Sequence, residues 1–253
     1  MPNPATRGDW FWLPAPRPDA AVRLYCFPHA GGDAPAFAGL AHELPGEVEV
    51  WALRMPGRAG RAHHPPPPTF DALLDSVTHA VASSLDRPWA VLGQSIGGLL
   101  AYETARTLAP VSAPLACTVL GFAAPHTLDT PGGTTAADAD ELIEFLLGDD
   151  DHAAAVLRHP VLREHARRVL RSDLGLLDTY RHRTEPVYAH PLHVVRGTGD
   201  TSMSRQDAEA WRELCTGPVT TTELPAGHLV LQSGEAAVRA VARDTTGLLT
   251  ARR

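Results

Sequence analysis

The sequence predicts an α/β fold in which a mostly parallel sheet is flanked by helices and carries a helical lid insertion. Three observations predict it. Short apolar runs alternate with helical patterns for most of the chain, as expected when helices cover both faces of a parallel sheet. Each apolar run ends in a turn cluster rich in glycine or proline. The alternation then stops after Pro125 and resumes near residue 187, which marks 126–186 as an insertion, the lid. At 253 residues with 44% hydrophobic and 20% charged residues, the chain fits one globular domain, 1–253, with a single core.

The elements follow in order. Residues 22–27 and 48–55 read as the first two strands, stopped by His29-Ala30-Gly31-Gly32 and by Pro56-Gly57. Between them, Asp33 is placed to cap a helix that has Pro35 in its first turn and runs to Leu44. Pro65 to Pro68 form a stiff connector that cannot be helix interior. Thr69 then caps a helix whose apolar positions Phe70, Leu73, Leu74, Val77, Val81 and Leu85 recur at spacings of three and four. Residues 89–92 form a third strand, followed by Gly93-Gln94-Ser95-Ile96-Gly97 and a further helix. The unbroken apolar run 115–124 suits a strand buried on both faces. Within the insertion lie a Gly/Thr-rich loop at 131–135 and helical patterns at 140–147, 152–157 and 161–180. Strand 192–196, helix 205–215, strand 219–224 and a last helix from Ser233 to about Thr250 complete the chain.

Composition excludes several function classes. The 22 basic residues are all arginine, they are scattered, and the net charge is −7, whereas tracking a nucleic-acid backbone needs a clustered basic face. No apolar stretch is long enough to span a bilayer, and the best one, 96–109, carries Glu103 and Arg106. Residues 1–20 lack the apolar core of a signal peptide, so a cytoplasmic, monomeric protein without membrane or nucleic-acid partners is expected. Cys26, Cys117 and Cys215 are odd in number and lack CxxC spacing; they read as small core residues, with no metal site predicted.

The pentapeptide around Ser95 matches G-x-S-x-G, in which a nucleophile sits on a sharp strand-to-helix turn and its flanking positions have no room for a Cβ. Roughly 0.06 chance matches are expected in a chain of this composition, and the strand-then-helix setting lowers that further. A serine hydroxyl needs a base to take its proton, and that base needs an acid to fix its tautomer. Two later loops supply them. Gly197-Thr198-Gly199-Asp200 and Pro225-Ala226-Gly227-His228 each follow a strand and present a polar side chain at its carboxyl end, in the order Ser95, Asp200, His228. Asp129 also follows a strand and is an alternative acid. The oxyanion of a tetrahedral intermediate needs two backbone N–H donors, assigned here to Ile96, the residue after the serine, and to Ala30 in the glycine-rich loop after the first strand. His29 is expected to hydrogen-bond to loop backbone.

Four blocks then resemble the stand-alone type II thioesterases of polyketide and non-ribosomal peptide synthesis, within the α/β-hydrolase superfamily. They are Leu24-Tyr25-Cys26-Phe27-Pro28-His29-Ala30-Gly31-Gly32 with Phe37; Met55-Pro56-Gly57-Arg58 with Arg61; Gly93-Gln94-Ser95-Ile96-Gly97-Gly98 with Ala101, Tyr102 and Glu103; and Leu170-Arg171-Ser172-Asp173 with Tyr180, Gly197, Asp200, Gly227 and His228. The resemblance covers about residues 10–235. It implies hydrolysis of acyl groups from the phosphopantetheine arm of acyl or peptidyl carrier proteins, with no cofactor of the enzyme's own, and it supports Ser95, Asp200 and His228 position by position. Gln94 departs from the family, which usually has His before the nucleophile; altered packing or substrate selection is expected there. Ser172 stands where members often have Ala, and nothing in the sequence explains it. Arg58 and Arg61 lie in a loop able to meet an acidic carrier surface, or else are solvated surface arginines. Trp10, Phe11 and Trp12 read as a segment tucked against the body. The stretch 161–177, with Arg167, Arg168 and Arg171, fits either a channel lining or a lid helix with one solvated face. Two other readings keep the same residues: a product-releasing cyclase or acyltransferase using the same triad, and a non-catalytic hydrolase-fold binding protein.

Overall fold

The computed structural model describes residues 6–128 and 158–250. Its strands are β1 (Thr6–Arg7), β2 (Phe11–Trp12), β3 (Val22–Phe27), β4 (Val48–Leu53), β5 (Trp89–Gln94), β6 (Cys117–Leu120), β7 (Leu192–Gly197) and β8 (Val219–Leu224). They form one eight-stranded sheet in the order β1-β2-β4-β3-β5-β6-β7-β8. From β4 to β8 all neighbours are parallel, while β1 and β2 add an antiparallel edge. The tucked segment at Trp10–Trp12 is thus a turn residue followed by the short strand β2, held between β1 and β4, with Phe11 paired to Leu53 and buried.

Side chains alternate between the two faces with period two. On β3, Val22, Leu24 and Cys26 enter one core, and Tyr25 and Phe27 the other. The first core is covered by α1 (Ala38–Glu43) and the C-terminal helix α6 (Glu235–Thr250). The second is covered by α2 (Phe70–Ala82), α3 (Ile96–Leu108) and α4 (Pro160–Thr179). Helix α5 (Arg205–Glu209) links β7 to β8, and its capping box runs between Ser204 and Asp207. Phe70, Leu73, Leu74, Val77 and Val81 of α2 are all buried, each stabilising the packed state by roughly 1.5–3 kcal/mol. Thr69 Oγ1 accepts from Ala72 N at 3.1 Å and caps that helix as the sequence predicts. All three cysteines are buried and free.

Some expectations need correction. Asp33 does not cap its helix, which starts as a 3-10 turn at Ala34–Phe37; its carboxylate instead accepts from Met55 N at 3.1 Å, because the β3 and β4 loops lie side by side. The fourth strand is shorter than the apolar run that predicts it, since Gly121 turns the chain away at φ +62°. The patterns at 131–135, 140–147 and 152–157 lie outside the described residues; of the insertion, the described part includes α4. Among the described residues no helix is long and apolar enough to cross a membrane.

The strand order fixes where a site can form. From β3 the chain moves outward to β4, then returns to the other side of β3 as β5. Loops leaving β3 and β5 therefore diverge at their carboxyl ends, the switch point at which open α/β sheets bind ligands.

Candidate active site

Ser95 occupies the turn between β5 and α3 with φ +56° and ψ −131°, a conformation that side-chain-bearing residues adopt only where surrounding packing enforces it. The sterics explain both flanking glycines. A Cβ at Gly93 would lie 1.9 Å from the Gly97 carbonyl oxygen, and one at Gly97 would lie 2.2 Å from that of Phe27. Ser95 N donates to Leu120 O at 2.8 Å, and Gly98 N to Ser95 O at 2.7 Å, so the turn is held from both sides.

The loops after β7 and β8 are tied together by Thr198 N to Leu224 O and Gly199 N to Ala226 O, at 2.8 and 3.0 Å. A Cβ at Gly197 would lie 2.2 Å from Gly227 O, which is why the loops approach so closely. This zipper delivers two side chains to Ser95. His228 Nε2 is 3.0 Å from Ser95 Oγ, and His228 Nδ1 is 2.9 Å from Asp200 Oδ2. With a proton on Nδ1 donated to the carboxylate, Nε2 is left to accept from the serine hydroxyl. Burial pushes the Asp200 carboxyl up, but hydrogen bonds from His228 and Ser202 outweigh it and hold the group below the usual carboxylate range. The alternative acid, Asp129, lies outside the described residues.

Ile96 opens α3, and the first amides of a helix have no partner inside it. Ala30 is buried in the loop after β3, beside Gly31 at φ +77°. Next to Ile96 lies a narrow, nearly filled slot whose mostly apolar lining includes Met55, Phe70, Leu73, Leu100 and Leu176, at the foot of the serine turn. No cluster of three or more His, Cys, Asp or Glu side chains able to hold a metal occurs among the described residues.

Gln94, His29, Arg58 and Arg61 stand out in the sequence, but the contacts they make do not. Gln94, on the strand side of Ser95, accepts from Leu231 N at 2.9 Å and donates to Gln232 Oε1 at 2.6 Å, bracing the segment that follows His228. Its amide also contacts His29 Nδ1 at 3.3 Å, so the ring meets a side chain instead of the expected loop backbone. Burial above all, with repulsion between a protonated His29 and its neighbours His228 and Arg58 added to it, pushes His29 down to about 4 and keeps it neutral. Arg58 and Arg61 are neither solvated nor available for docking. Arg58 forms a buried ion pair with Asp173 at 2.5 Å, while Arg61 stacks 3.6 Å above the Trp10 ring and donates to Arg54 O. The arginines of α4 divide: Arg168 and Arg171 are exposed and Arg167 is half-buried, as a helix with one solvated face requires.

The family model for the thioesterase domain matches residues 22–248. The chain belongs to the thioesterase family. This thioesterase is 33% identical over 96% of its length to the antimetabolite synthetase AmbE of Pseudomonas aeruginosa, spanning only 12% of that much longer protein. It is 31% identical to thioesterase PikA5 of Streptomyces venezuelae, over 88% of this chain and 80% of the relative. Among solved structures, the type II thioesterase BorB from the borrelidin biosynthetic cluster superposes with a TM-score of 0.85 at 27% identity, covering 96% of this chain and 99% of BorB. The resemblance to type II thioesterases and the α/β-hydrolase fold both hold, and the thioesterase is a hydrolase acting on thioesters.

Proposed function

We propose that this thioesterase hydrolyses acyl groups from the phosphopantetheine arm of acyl or peptidyl carrier proteins, clearing aberrant or stalled units from a polyketide or non-ribosomal peptide assembly line. The observation that carries the reading is the unbroken relay from Asp200 through His228 to Ser95 on a strained turn beside an apolar slot. Ser95 Oγ attacks the thioester carbonyl while His228 Nε2 takes its proton. The Ala30 and Ile96 amides hold the oxyanion, a pair of donors each worth about 3 kcal/mol of barrier in comparable sites. The intermediate collapses, the C–S bond breaks, and the imidazolium returns the proton to the departing thiol. Water, deprotonated by the same imidazole, then cleaves the acyl-serine ester and frees the acid.

The enzyme itself needs no cofactor in this scheme, because phosphopantetheine arrives with the substrate. The carrier as partner is supported by relatives named for biosynthetic clusters of this kind, and a cytoplasmic location and a monomeric state belong to the same proposal.

The experiment is a panel of acyl-carrier proteins from short to long chains, with Ser95→Ala as control and product mass as readout. Free acid from the wild type alone supports the proposal. A ring or acyl-transfer product points to the cyclase or acyltransferase, and inertness together with an unmodified Ser95 after fluorophosphonate treatment points to a binding protein.

A further inference from the structure

The loop that supplies Ala30 is gripped from a distant element. Asp173 of α4 accepts from Gly31 N at 2.8 Å across 142 residues of sequence. Arg58 donates to both oxygens of that carboxylate, at 2.5 and 2.6 Å, and through its other terminal nitrogen to Gly32 O at 2.9 Å. The Ala30–Gly31 and Gly32–Asp33 peptide units, one on either side of the Gly31–Gly32 peptide, are thereby fixed by one buried ion pair, with the side chains 6% and 7% exposed. Packing reinforces the grip. The Leu170 side chain, one turn earlier on α4, lies 3.0 Å from where a Cβ on Gly31 would sit. Asp173 also lines the apolar slot beside Ile96, so a single carboxylate touches the loop, the slot and the covering helix.

A buried ion pair is weak evidence for stability, because desolvation consumes most of its attraction; a role in holding geometry is the better account. The charge balance agrees. A lone carboxylate one residue from an oxyanion donor would oppose the developing negative charge, and Arg58 neutralises it. We infer that Asp173, charge-balanced by Arg58, is a positioning residue that aims the Ala30 amide at the oxyanion, so that docking of α4 completes the donor pair. The inference rests on the hydrolytic reading proposed above.

The test uses the full chain and a soluble acyl thioester, with an alkyl boronic acid as probe. Boron takes up the Ser95 oxygen and becomes tetrahedral and anionic, reporting the donor pair without turnover. For Asp173→Ala, kcat falls about 30-fold and the boronate inhibition constant rises in parallel, while KM stays within about threefold. Asp173→Asn, which retains an oxygen for Gly31 N, loses no more than about fivefold. A risen KM with kcat unchanged, an Asn variant no better than Ala, or wild-type turnover in Asp173→Ala overturns the inference. Where Asp173→Ala does not fold, Arg58→Lys decides, since an ammonium cannot span the carboxylate and Gly32 O together. About a tenfold loss in kcat and boronate affinity at constant KM supports the role, and unchanged values overturn it. Hydrolysis by wild type but not by Ser95→Ala, measured alongside, checks the parent reading separately.

Discussion

Ser202 Oγ donates to Asp200 Oδ1 at 2.6 Å and lies 3.0 Å from His228 Nδ1, so one hydroxyl touches both the acid and the base of the relay. Ser202 N adds a second bond to the same carboxylate oxygen at 2.9 Å. Asp200 is thus held in place by groups other than the imidazole it orients. Ser202→Ala removes one of these bonds and leaves the backbone one, so kcat is expected to fall by less than about tenfold. Asp200→Asn, which favours the wrong imidazole tautomer, is expected to cost about 10³–10⁴. Steady-state kinetics on a simple thioester distinguishes them, and equal losses would show that Ser202 and Asp200 do not act as described.

Gln94 is 1% exposed and uses both ends of its amide, accepting from Leu231 N and donating to Gln232 Oε1. Gln94→Leu keeps the volume but strands those partners in a buried site. A destabilisation of about 2–4 kcal/mol follows, or several degrees in Tm for a chain of this size. Urea denaturation measures it. A variant as stable as wild type would mean that water or a rearranged Gln232 satisfies the same groups.

His29 makes stability depend on pH. In the unfolded chain it takes up a proton near its ordinary 6.5, and in the folded protein only near 4. Between those values the unfolded state binds a proton that the folded state refuses, so stability falls as the pH drops through that window. By about pH 5 the loss attributable to this residue is on the order of 2 kcal/mol. Unfolding free energies of wild type and His29→Asn at about pH 7.5 and pH 5 should differ in slope by that amount, with the Asn variant flatter. Equal slopes would place the acid sensitivity elsewhere.

Gly97→Ala tests the serine turn. Its Cβ would sit 2.2 Å from Phe27 O and 2.4 Å from Pro28 O, both backbone atoms that cannot swing aside. The carboxyl end of β3, and the loop it feeds, must retreat. Activity is expected to fall at least about 100-fold, with stability lower by at least 2 kcal/mol. Calorimetry beside kinetics checks both, and a fully active Gly97→Ala protein would refute the assigned packing.

Much of this was legible before any coordinates. Runs such as 22–27 and 219–224 are read correctly because β-branched and aromatic residues bounded by turn residues leave few alternatives. Ser95, Asp200 and His228 are legible because each follows a strand within a glycine-bearing turn, a local signal that reports a shared sheet edge. Arg58 and Asp173 are not, since they lie 115 residues apart and an isolated charge reads as solvated until its partner is known. The same holds for Arg61, whose place over Trp10 depends on the turn between β1 and β2 that carries the ring. Asp33 differs for a related reason: a carboxylate before a helix predicts a cap, but a tertiary neighbour, Met55 N, donates to it instead.

Rapid-quench intact mass spectrometry during turnover of an acyl thioester asks whether the serine oxygen carries the acyl group. The expected result is a transient adduct of one acyl mass on the peptide containing Ser95, formed faster than free acid appears, accumulating when His228-assisted hydrolysis is slowed, and absent from Ser95→Ala. Steady release of acid with no adduct, together with full turnover by Ser95→Ala, would contradict it.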